Sequence, residues 1–494
     1  MRFSNGETLS LRQPIALLIV ALAAILVRSS TALHPDVSWL LTLNERLLAD
    51  EKLYVDLLVV NPVVPVWFYR LPVLIAQFTG MRAEWVLQLM IAGTALASFL
   101  IMSRLLTEAR LVSKNQIIWL GVILFALLYV VSAFTFAQRE FIGLLGFLPW
   151  LTLQAWRIEN PGQRPSWPIL VLCGVGCAAL VLVKPYYVLT VLAPVVALCI
   201  QKRSIRPAFY FENLIGGAIT VALMALFIVL HPAFFGEMML LILSAYAPHM
   251  TLVPLQFHSA ALATMLIAII ICLPVRQWSP LGVLLATALI GHLAALWIMG
   301  RAFPYHAYPA YVLGVLAIAE AYRSTPTDRK IGPFPAVVGL LCVGIAMAVF
   351  SSGATTGSNL TSYLKANHEG ESFMPLSNSM IDGHPLSRVT GLEFVAPAAF
   401  LSISTYGDQI LRENTNLSDE AVDRITRAKR YEWDLWRAAI YQKKPQVIVI
   451  PQALATKKPD AYEAIWEAEG SEVPPAAFYE HQATIDTYDI YIRL

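Results

Sequence analysis

The chain has 494 residues, of which 57% are hydrophobic and only 14% are charged, and its mean hydropathy is +0.62. This composition excludes an ordinary soluble enzyme, because so much apolar surface needs a solvent other than water, and it indicates a membrane protein. The 35 basic and 33 acidic residues leave a net charge of +2, so the basic excess that favours a nucleic-acid partner is absent from the sequence.

Apolar runs recur along the first 350 residues of the chain. A bilayer core takes about 20 apolar residues in one helix. The sequence therefore predicts an all-α polytopic membrane bundle of about eleven transmembrane helices, near 13–27, 84–102, 116–134, 142–156, 167–183, 186–200, 213–230, 257–274, 280–298, 306–322 and 333–350. An alternative for the first run is a cleaved signal peptide over residues 1–32, which end in Ser30, Thr31 and Ala32.

The distribution of basic residues predicts the orientation of these spans. With the N-terminus inside, the segments that face the cytoplasm hold fourteen Lys and Arg residues, whereas the longer outside segments hold eight. By the positive-inside rule, we expect a multi-pass protein of the cytoplasmic (inner) membrane. Eleven spans then place the C-terminal part outside, in the periplasm.

Hydropathy falls after Phe350, which predicts a transmembrane domain over 1–350 and an extracytoplasmic soluble α/β domain over 351–494. Residues 351–358 have the composition of a flexible linker. In the second domain, Ser418 is a predicted N-cap for a helix that runs to about Gln442. The apolar run 447–450 and the alternation near the end, over 488–494, predict strands.

The first outer loop, about 28–83, is the longest between spans, and it carries Asp36 a few residues beyond the first span. The apolar periodicity after Asp36 predicts a helix lying in the membrane interface. The proline-broken stretch from Asn61 to Pro72 predicts a second segment that is surface-lying or re-entrant. Two interpretations of Asp36 stay open on its pattern: an acid placed for chemistry, or one that is solvated or caps the following helix.

Three other outer turns carry polar side chains between apolar runs. Gln138-Arg139-Glu140 is either a charge pair at a span boundary or the wall of a site. Lys184 either snorkels to the interface or binds a lipid phosphate. Arg301, which Tyr305 and His306 follow, can pair with phosphate through two parallel hydrogen bonds. Together they predict cations for a leaving phosphate, a carboxylate for an acceptor's proton and a groove for an isoprenoid tail.

On these residues the chain resembles the GT-C superfamily of membrane glycosyltransferases, in particular bacterial relatives of protein O-mannosyltransferases, aminoarabinose transferases and the galacturonic-acid transferases of lipid A. The resemblance covers most of residues 10–350. It rests on Asp36 with Trp39, Leu53-Tyr54-Val55-Asp56 followed by Asn61-Pro62, the Gln138-Arg139-Glu140 turn, Lys184-Pro185, and Phe303-Pro304-Tyr305-His306 with Pro309.

The resemblance implies that Asp36 is the catalytic base and that the C-terminal domain shapes access of the acceptor. The chain departs from its relatives at two places in the first outer loop. Relatives often carry a Glu two residues before the Asn-Pro pair and a Pro after it, where this chain has Val59 and Val63. Asp56 is the nearest substitute for that second carboxylate.

The sequence thus predicts an inverting transferase that moves a sugar from a polyprenyl-phosphate donor to a lipid, polysaccharide or protein acceptor of the cell envelope. Asp36 is the predicted catalytic residue, and the predicted substrate-binding residues are Asp56, Arg139, Glu140, Lys184, Arg301, Tyr305 and His306. A divalent metal is possible, but no metal ligand is assigned, and no nucleic acid is expected as a partner.

Two functions of other classes compete with this prediction. One is a non-catalytic scaffold subunit of an envelope polysaccharide complex. The other is a transporter or flippase for a lipid-linked glycan, a class that usually shows internal repeats and ionisable residues near the middle of the membrane. Neither feature is evident in this sequence.

Overall fold

The structure is a computed structural model of the chain, and it describes residues 12–246, 278–299, 303–324, 358–414, 416–467 and 473–494. The contacts between residues divide the chain into two compact units. The first unit holds 1–32, 84–225 and 252–353, and the second holds 33–83, 226–251 and 354–494. The second unit therefore joins most of the predicted first outer loop to the C-terminal part of the chain.

The first unit is built of α-helices with mostly apolar side chains. Its helices are α1 (Arg12–Ser30), α5 (Ala83–Glu108), α6 (Lys114–Ala126), α7 (Arg139–Glu159), α8 (Trp167–Val183), α9 (Val188–Gln201), α10 (Phe211–Leu230), α11 (Pro280–Met299) and α12 (Pro304–Ser324). Among the described residues, α1, α5, α7, α10 and α11 are long and apolar enough to cross a membrane. Nine of the predicted apolar runs coincide with these helices, and the runs 257–274 and 333–350 lie outside the described residues.

Glycines let the helices of the first unit pack with their backbones in contact. A Cβ atom added to Gly176 of α8 would lie 2.1 Å from the carbonyl oxygen of Gly146 in α7. One added to Gly291 of α11 would lie 2.2 Å from the carbonyl oxygen of Leu189 in α9. No residue with a side chain fits at either place without a backbone shift, so these glycines set how closely the two helix pairs approach.

The second unit combines short helices with one sheet. Its helices are α2 (Pro35–Leu48), α3 (Val63–Trp67), α4 (Arg70–Thr79), α13 (Ser358–His368), α14 (Leu386–Thr390), α15 (Ser402–Glu413), α16 (Asp419–Lys443), α17 (Gln452–Lys457) and α18 (Pro459–Tyr462), with a mainly π-helical segment over 234–246. Its strands are β1 (Ser372–Pro375), β2 (Glu393–Phe394), β3 (Val447–Pro451), β4 (Tyr479–Ile485) and β5 (Tyr488–Arg493).

The sheet has the strand order β2-β1-β3-β5-β4. β1 pairs in parallel with β2 and β3, whereas β5 pairs antiparallel with β3 and β4. The sequence predictions for this region are confirmed at the level of single elements. The side chain of Ser418 caps α16 by accepting from the Ala421 N–H, and the two predicted strands are β3 and β5.

The two helices predicted at the membrane surface differ in burial. α2 is buried along most of its length, and its Asn44 amide donates to the carbonyl oxygens of Leu40 and Val66. This helix packs inside the second unit, so it differs from the predicted interfacial helix. α4 instead exposes an apolar stripe of Leu71, Leu74 and Phe78, as an interfacial helix does.

Candidate functional site

Three helix ends of the first unit bring together polar residues of the predicted outer turns. α7 begins at Arg139, Lys184 follows the end of α8, and α12 begins at Pro304. Lys184 has an extended backbone, with φ −153° and ψ 135°. The ring of Pro185 disfavours helical backbone angles at the residue before it. Pro304 suits the start of α12, because the N–H group that proline lacks would have no hydrogen-bond partner within the first turn of a helix.

Glu140 is the centre of this cluster, and its side chain is completely buried. The Lys184 Nζ atom lies 3.1 Å from Glu140 Oε1, and the His306 Nε2 atom lies 3.7 Å from the same oxygen. Lys184 also contacts His306 Nε2 directly. One carboxylate, one ammonium and one imidazole therefore meet at the ends of apolar helices.

Aromatic rings surround the ammonium group of Lys184. Its Nζ atom lies 5.7 Å from the centre of the Tyr305 ring, which is within the range of a cation–π interaction. Tyr305 packs edge-on against His306 at 4.4 Å between ring centres and stacks on Phe303 at 5.5 Å. The Lys184 side chain is largely enclosed, with 18% of its surface exposed, so it does not snorkel into bulk solvent.

The turn before α7 holds strained backbone. Ala133 and Ala137 have φ values of +39° and +66°, in the left-handed region that residues with a Cβ rarely adopt. Arg28 of α1 donates to the Ala133 carbonyl oxygen at 2.5 Å and lies over the Phe136 ring at 4.4 Å. Strain of this kind persists only where neighbouring contacts enforce it, and it is frequent at functional sites.

Sequence reasoning missed a buried histidine behind the cluster. His292 of α11 is fully buried, with its Nε2 atom 3.0 Å from the His306 carbonyl oxygen and its Nδ1 atom 3.0 Å from Thr190 Oγ1. The Tyr187 ring stacks on it at 4.7 Å. His292 thereby fixes the backbone from which the His306 side chain projects. A single ionisable residue inside a long apolar run was the signal that could have identified it.

Asp36 belongs to the second unit, in the first turn of α2. The His34 ring caps this helix, because its Nδ1 atom accepts from the Asp36 backbone N–H at 3.1 Å. The N-cap role considered for Asp36 is therefore filled by His34. A carboxylate in the first turn is favoured by the helix dipole, and the Asp36 side chain keeps 18% of its surface exposed.

The remaining predicted site residues are distributed as follows. Asp56 accepts from the Lys52 backbone N–H at 2.8 Å and so closes a local turn of the second unit. Arg139 is buried in the first turn of α7. Arg301 lies outside the described residues. The structure thus groups Glu140, Lys184, Tyr305 and His306, which are separated by up to 166 positions along the chain.

The possible divalent metal is not supported by the donors of this cluster. Among the described residues, no group of three or more His, Cys, Asp or Glu side chains could hold a metal ion. Glu140 and His306 offer two donors, but the Lys184 ammonium already lies 3.1 Å from the same carboxylate. A metal ion there would have to displace a fixed positive charge.

Comparisons with known proteins add little to this geometry. No family model matches the chain, and no curated protein sequence matches it. A solved structure similar to it is the archaeal oligosaccharyltransferase AglB from Archaeoglobus fulgidus, in complex with an inhibitory peptide and a dolichol-phosphate. The two chains share 12% identity with a TM-score of 0.40, over 96% of this chain and 73% of that one. A TM-score of this size does not establish a common fold.

Proposed function

We propose that the protein is a membrane glycosyltransferase that moves a sugar from a polyprenyl-phosphate donor to an acceptor on the outer face of the cytoplasmic membrane. The observation that carries the proposal is the buried cluster of Glu140, Lys184 and His306. Ionisable side chains are costly among apolar helices, and they usually mark a substrate site. The resemblance to GT-C transferases at Asp36 supports a carboxylate that acts as the general base of such a reaction.

The reaction is a single displacement at the anomeric carbon of the donor sugar. The acceptor hydroxyl loses its proton to Asp36, and its oxygen forms the new bond to the anomeric carbon. The bond from that carbon to the phosphate oxygen breaks at the same time, and the polyprenyl phosphate leaves with the electron pair. Attack from the face opposite the phosphate inverts the anomeric configuration. A positioned general base contributes about 10²- to 10⁴-fold to such a rate.

Lys184 stabilises the negative charge that develops on the departing phosphate. A cation in a water-poor site acts strongly on developing charge, because little solvent competes with it. Glu140 and the Tyr305 ring fix the position of the ammonium, and the His306 Nε2 atom accepts from it. Arg139, and Arg301 from the predicted outer turn that also holds Tyr305 and His306, add positive charge for the same phosphate.

The test uses the purified full-length chain in detergent with undecaprenyl-phosphate sugars that are radiolabelled in the sugar. Extracts of envelope lipid and glycan from cells that lack the protein serve as acceptors. We expect label to enter one acceptor fraction and undecaprenyl phosphate to be released. A scaffold subunit would consume no donor without its partners, and a flippase would move donor across a vesicle membrane without cleaving it.

Asp36→Asn tests the role of the base. We expect the rate of transfer to fall by about 10²- to 10⁴-fold with unchanged expression and melting temperature, because the amide cannot accept the proton. Asp50→Asn is the matched control, since Asp50 has a φ of +67°, which Asn tolerates, and lies in the same loop. Full activity of Asp36→Asn would exclude the base role, and failure of the wild-type chain to cleave any donor would overturn the proposal.

A further inference from the structure

The helix that carries Asp36 is held by a segment from the distant C-terminal part of the chain. Residues 384–397 contact α2 through an ion pair, an aromatic cluster and backbone hydrogen bonds, all within the second unit. These residues lie about 350 positions from α2, so their contacts are a product of the fold and not of local sequence.

The ion pair joins Arg388 of α14 to Glu45 near the end of α2. The Arg388 guanidinium donates two parallel hydrogen bonds to the Glu45 carboxylate, at 2.7 and 2.9 Å, and a third to Thr42 Oγ1 at 3.0 Å. Its backbone carbonyl oxygen accepts from Arg82 at 3.2 Å. A bidentate guanidinium–carboxylate pair fixes direction as well as distance, which a single ammonium contact would not do.

The aromatic cluster lies close to Asp36. Trp39 is three residues after Asp36, and its ring packs against His384 and Phe394 at 5.4 and 5.6 Å between ring centres. Burial, together with Arg388 and Arg46, holds the pKa of His384 well below its usual range, so this ring stays neutral. Three flat rings in contact leave α2 little freedom to rotate about its axis.

Hydrogen bonds hold the far end of α2 and the loop after it. Arg46 forms a bidentate pair with Glu51, at 2.7 and 3.2 Å, and donates to the Ala396 carbonyl oxygen. The Leu58 N–H donates to the Pro397 carbonyl oxygen at 2.8 Å. The segment therefore restrains α2 at both ends and along one side.

We propose that residues 384–397 are a positioning element for the catalytic base, Asp36, with Arg388 as its principal residue. The proposal rests on the proposed function for the role of Asp36. A helix held in rotation and translation keeps its carboxylate at one place relative to the acceptor, and small misplacements of a reacting group lower a rate steeply. The C-terminal part of the chain then contributes to the chemical step, besides any role in access of the acceptor.

The test compares Arg388→Glu, Arg388→Lys and the charge-exchanged pair Glu45→Arg with Arg388→Glu in the purified full-length chain. We expect Arg388→Glu to lower kcat by about 10- to 100-fold, with an unchanged KM for the undecaprenyl-phosphate sugar. The exchanged pair restores kcat to within about threefold, and Arg388→Lys lies between, because its ammonium makes one contact instead of two. Arg424→Glu, at an exposed ion pair with Glu420, is the matched control and keeps wild-type kcat.

Hydrogen–deuterium exchange of residues 35–48 gives a readout that does not depend on activity. We expect faster exchange in Arg388→Glu and wild-type exchange in the exchanged pair and in Asp36→Asn. Wild-type kcat in Arg388→Glu would overturn the positioning role, as would a loss of kcat without faster exchange of α2. Full activity of Asp36→Asn would instead overturn the proposed base, whatever the exchange of α2 shows.

Discussion

Glu140 and Glu212 are both completely buried in the first unit, but their surroundings differ. Glu212 receives two hydrogen bonds of 2.7 Å from Arg157 and one of 3.0 Å from Gln154. Glu140 has an ammonium at 3.1 Å, and among the described residues neither of its oxygens accepts a well-aligned hydrogen bond. The Tyr187 hydroxyl lies close enough to interact with the Glu140 carboxylate.

This difference indicates that Glu212 has a structural role, whereas Glu140 serves another purpose. A buried carboxylate whose oxygens both accept hydrogen bonds is explained by its structural contacts. One whose oxygens have unfilled hydrogen-bonding capacity needs another explanation. Glu212 lies on α10 and joins it to α7, so its contacts are explained by helix packing. Glu140 places a cation and an imidazole at the end of the same α7, which helix packing alone does not require.

The strongest test of this comparison is to remove one charge at a time. We expect Glu212→Gln to destabilise the protein by about 3–5 kcal/mol, because Arg157 loses its buried partner. Glu140→Gln should destabilise the protein less, because Lys184 makes one contact of 3.1 Å with Glu140 where Glu212 accepts three hydrogen bonds. It should lower kcat/KM for the donor by about 10- to 100-fold, since Lys184 is no longer fixed. Thermal unfolding in detergent and the radiolabelled transfer assay measure both quantities. Equal loss of stability in the two variants, with full activity of the folded fraction, would remove the distinction.

A third buried glutamate extends the comparison to the second unit. Glu432 of α16 accepts from the backbone N–H groups of Ile403 and Ser404, at 3.0 and 2.8 Å, at the start of α15. Burial raises the pKa of Glu432 from its ordinary value of 4.5 to about 7. The folded protein therefore holds this proton more tightly than the unfolded chain does.

The sign of the pH dependence follows from that shift. The contribution of Glu432 to stability is complete below about pH 4.5, falls as pH rises to about 7 and is level above it, for a total of about 3 kcal/mol. We expect the stability of Glu432→Gln to lack this decrease with rising pH, as measured by thermal unfolding between pH 5 and 8. Glu413→Gln, at an exposed position of α15, should keep the wild-type profile. An unchanged slope in Glu432→Gln would show that this carboxyl is not the group that titrates.

The smallest expected effect comes from the packing that holds Lys184 beside Glu140. A Cβ atom on Gly143, one turn after Glu140, would lie 3.1 Å from Leu180 Cα and 3.2 Å from Val183 Cγ2. Gly143→Ala should shift the end of α8 by a few tenths of an ångström and lower kcat about threefold to tenfold. Gly217→Ala is the control, because no atom lies within 4 Å of its added Cβ. Equal kcat values in the two variants would show that this contact does not set the position of Lys184.

Much of the helical framework could be predicted from local sequence alone. Long apolar runs form helices because their backbone groups must bond internally once they leave water, and this holds whatever their neighbours are. Pro185 and Ser418 mark helix boundaries for equally local reasons, since proline restricts the residue before it and serine accepts from the first turn. The polar turns at Arg139, Lys184 and His306 were identified for the same reason, as interruptions of apolar runs.

The partners of these residues depend on contacts between distant segments. Glu140 pairs with Lys184 because glycine contacts bring α7 against α8, and sequence pattern could not choose this pair over one with its neighbour Arg139. Distant residues contribute to covering α2, among them Arg388, which is 343 positions away from Glu45. The apolar periodicity of α2 alone therefore indicated a membrane interface instead. Local sequence therefore determines where helices form and where charges interrupt them. Which charges meet, and which surfaces are covered, depends on long-range packing that has no local signal.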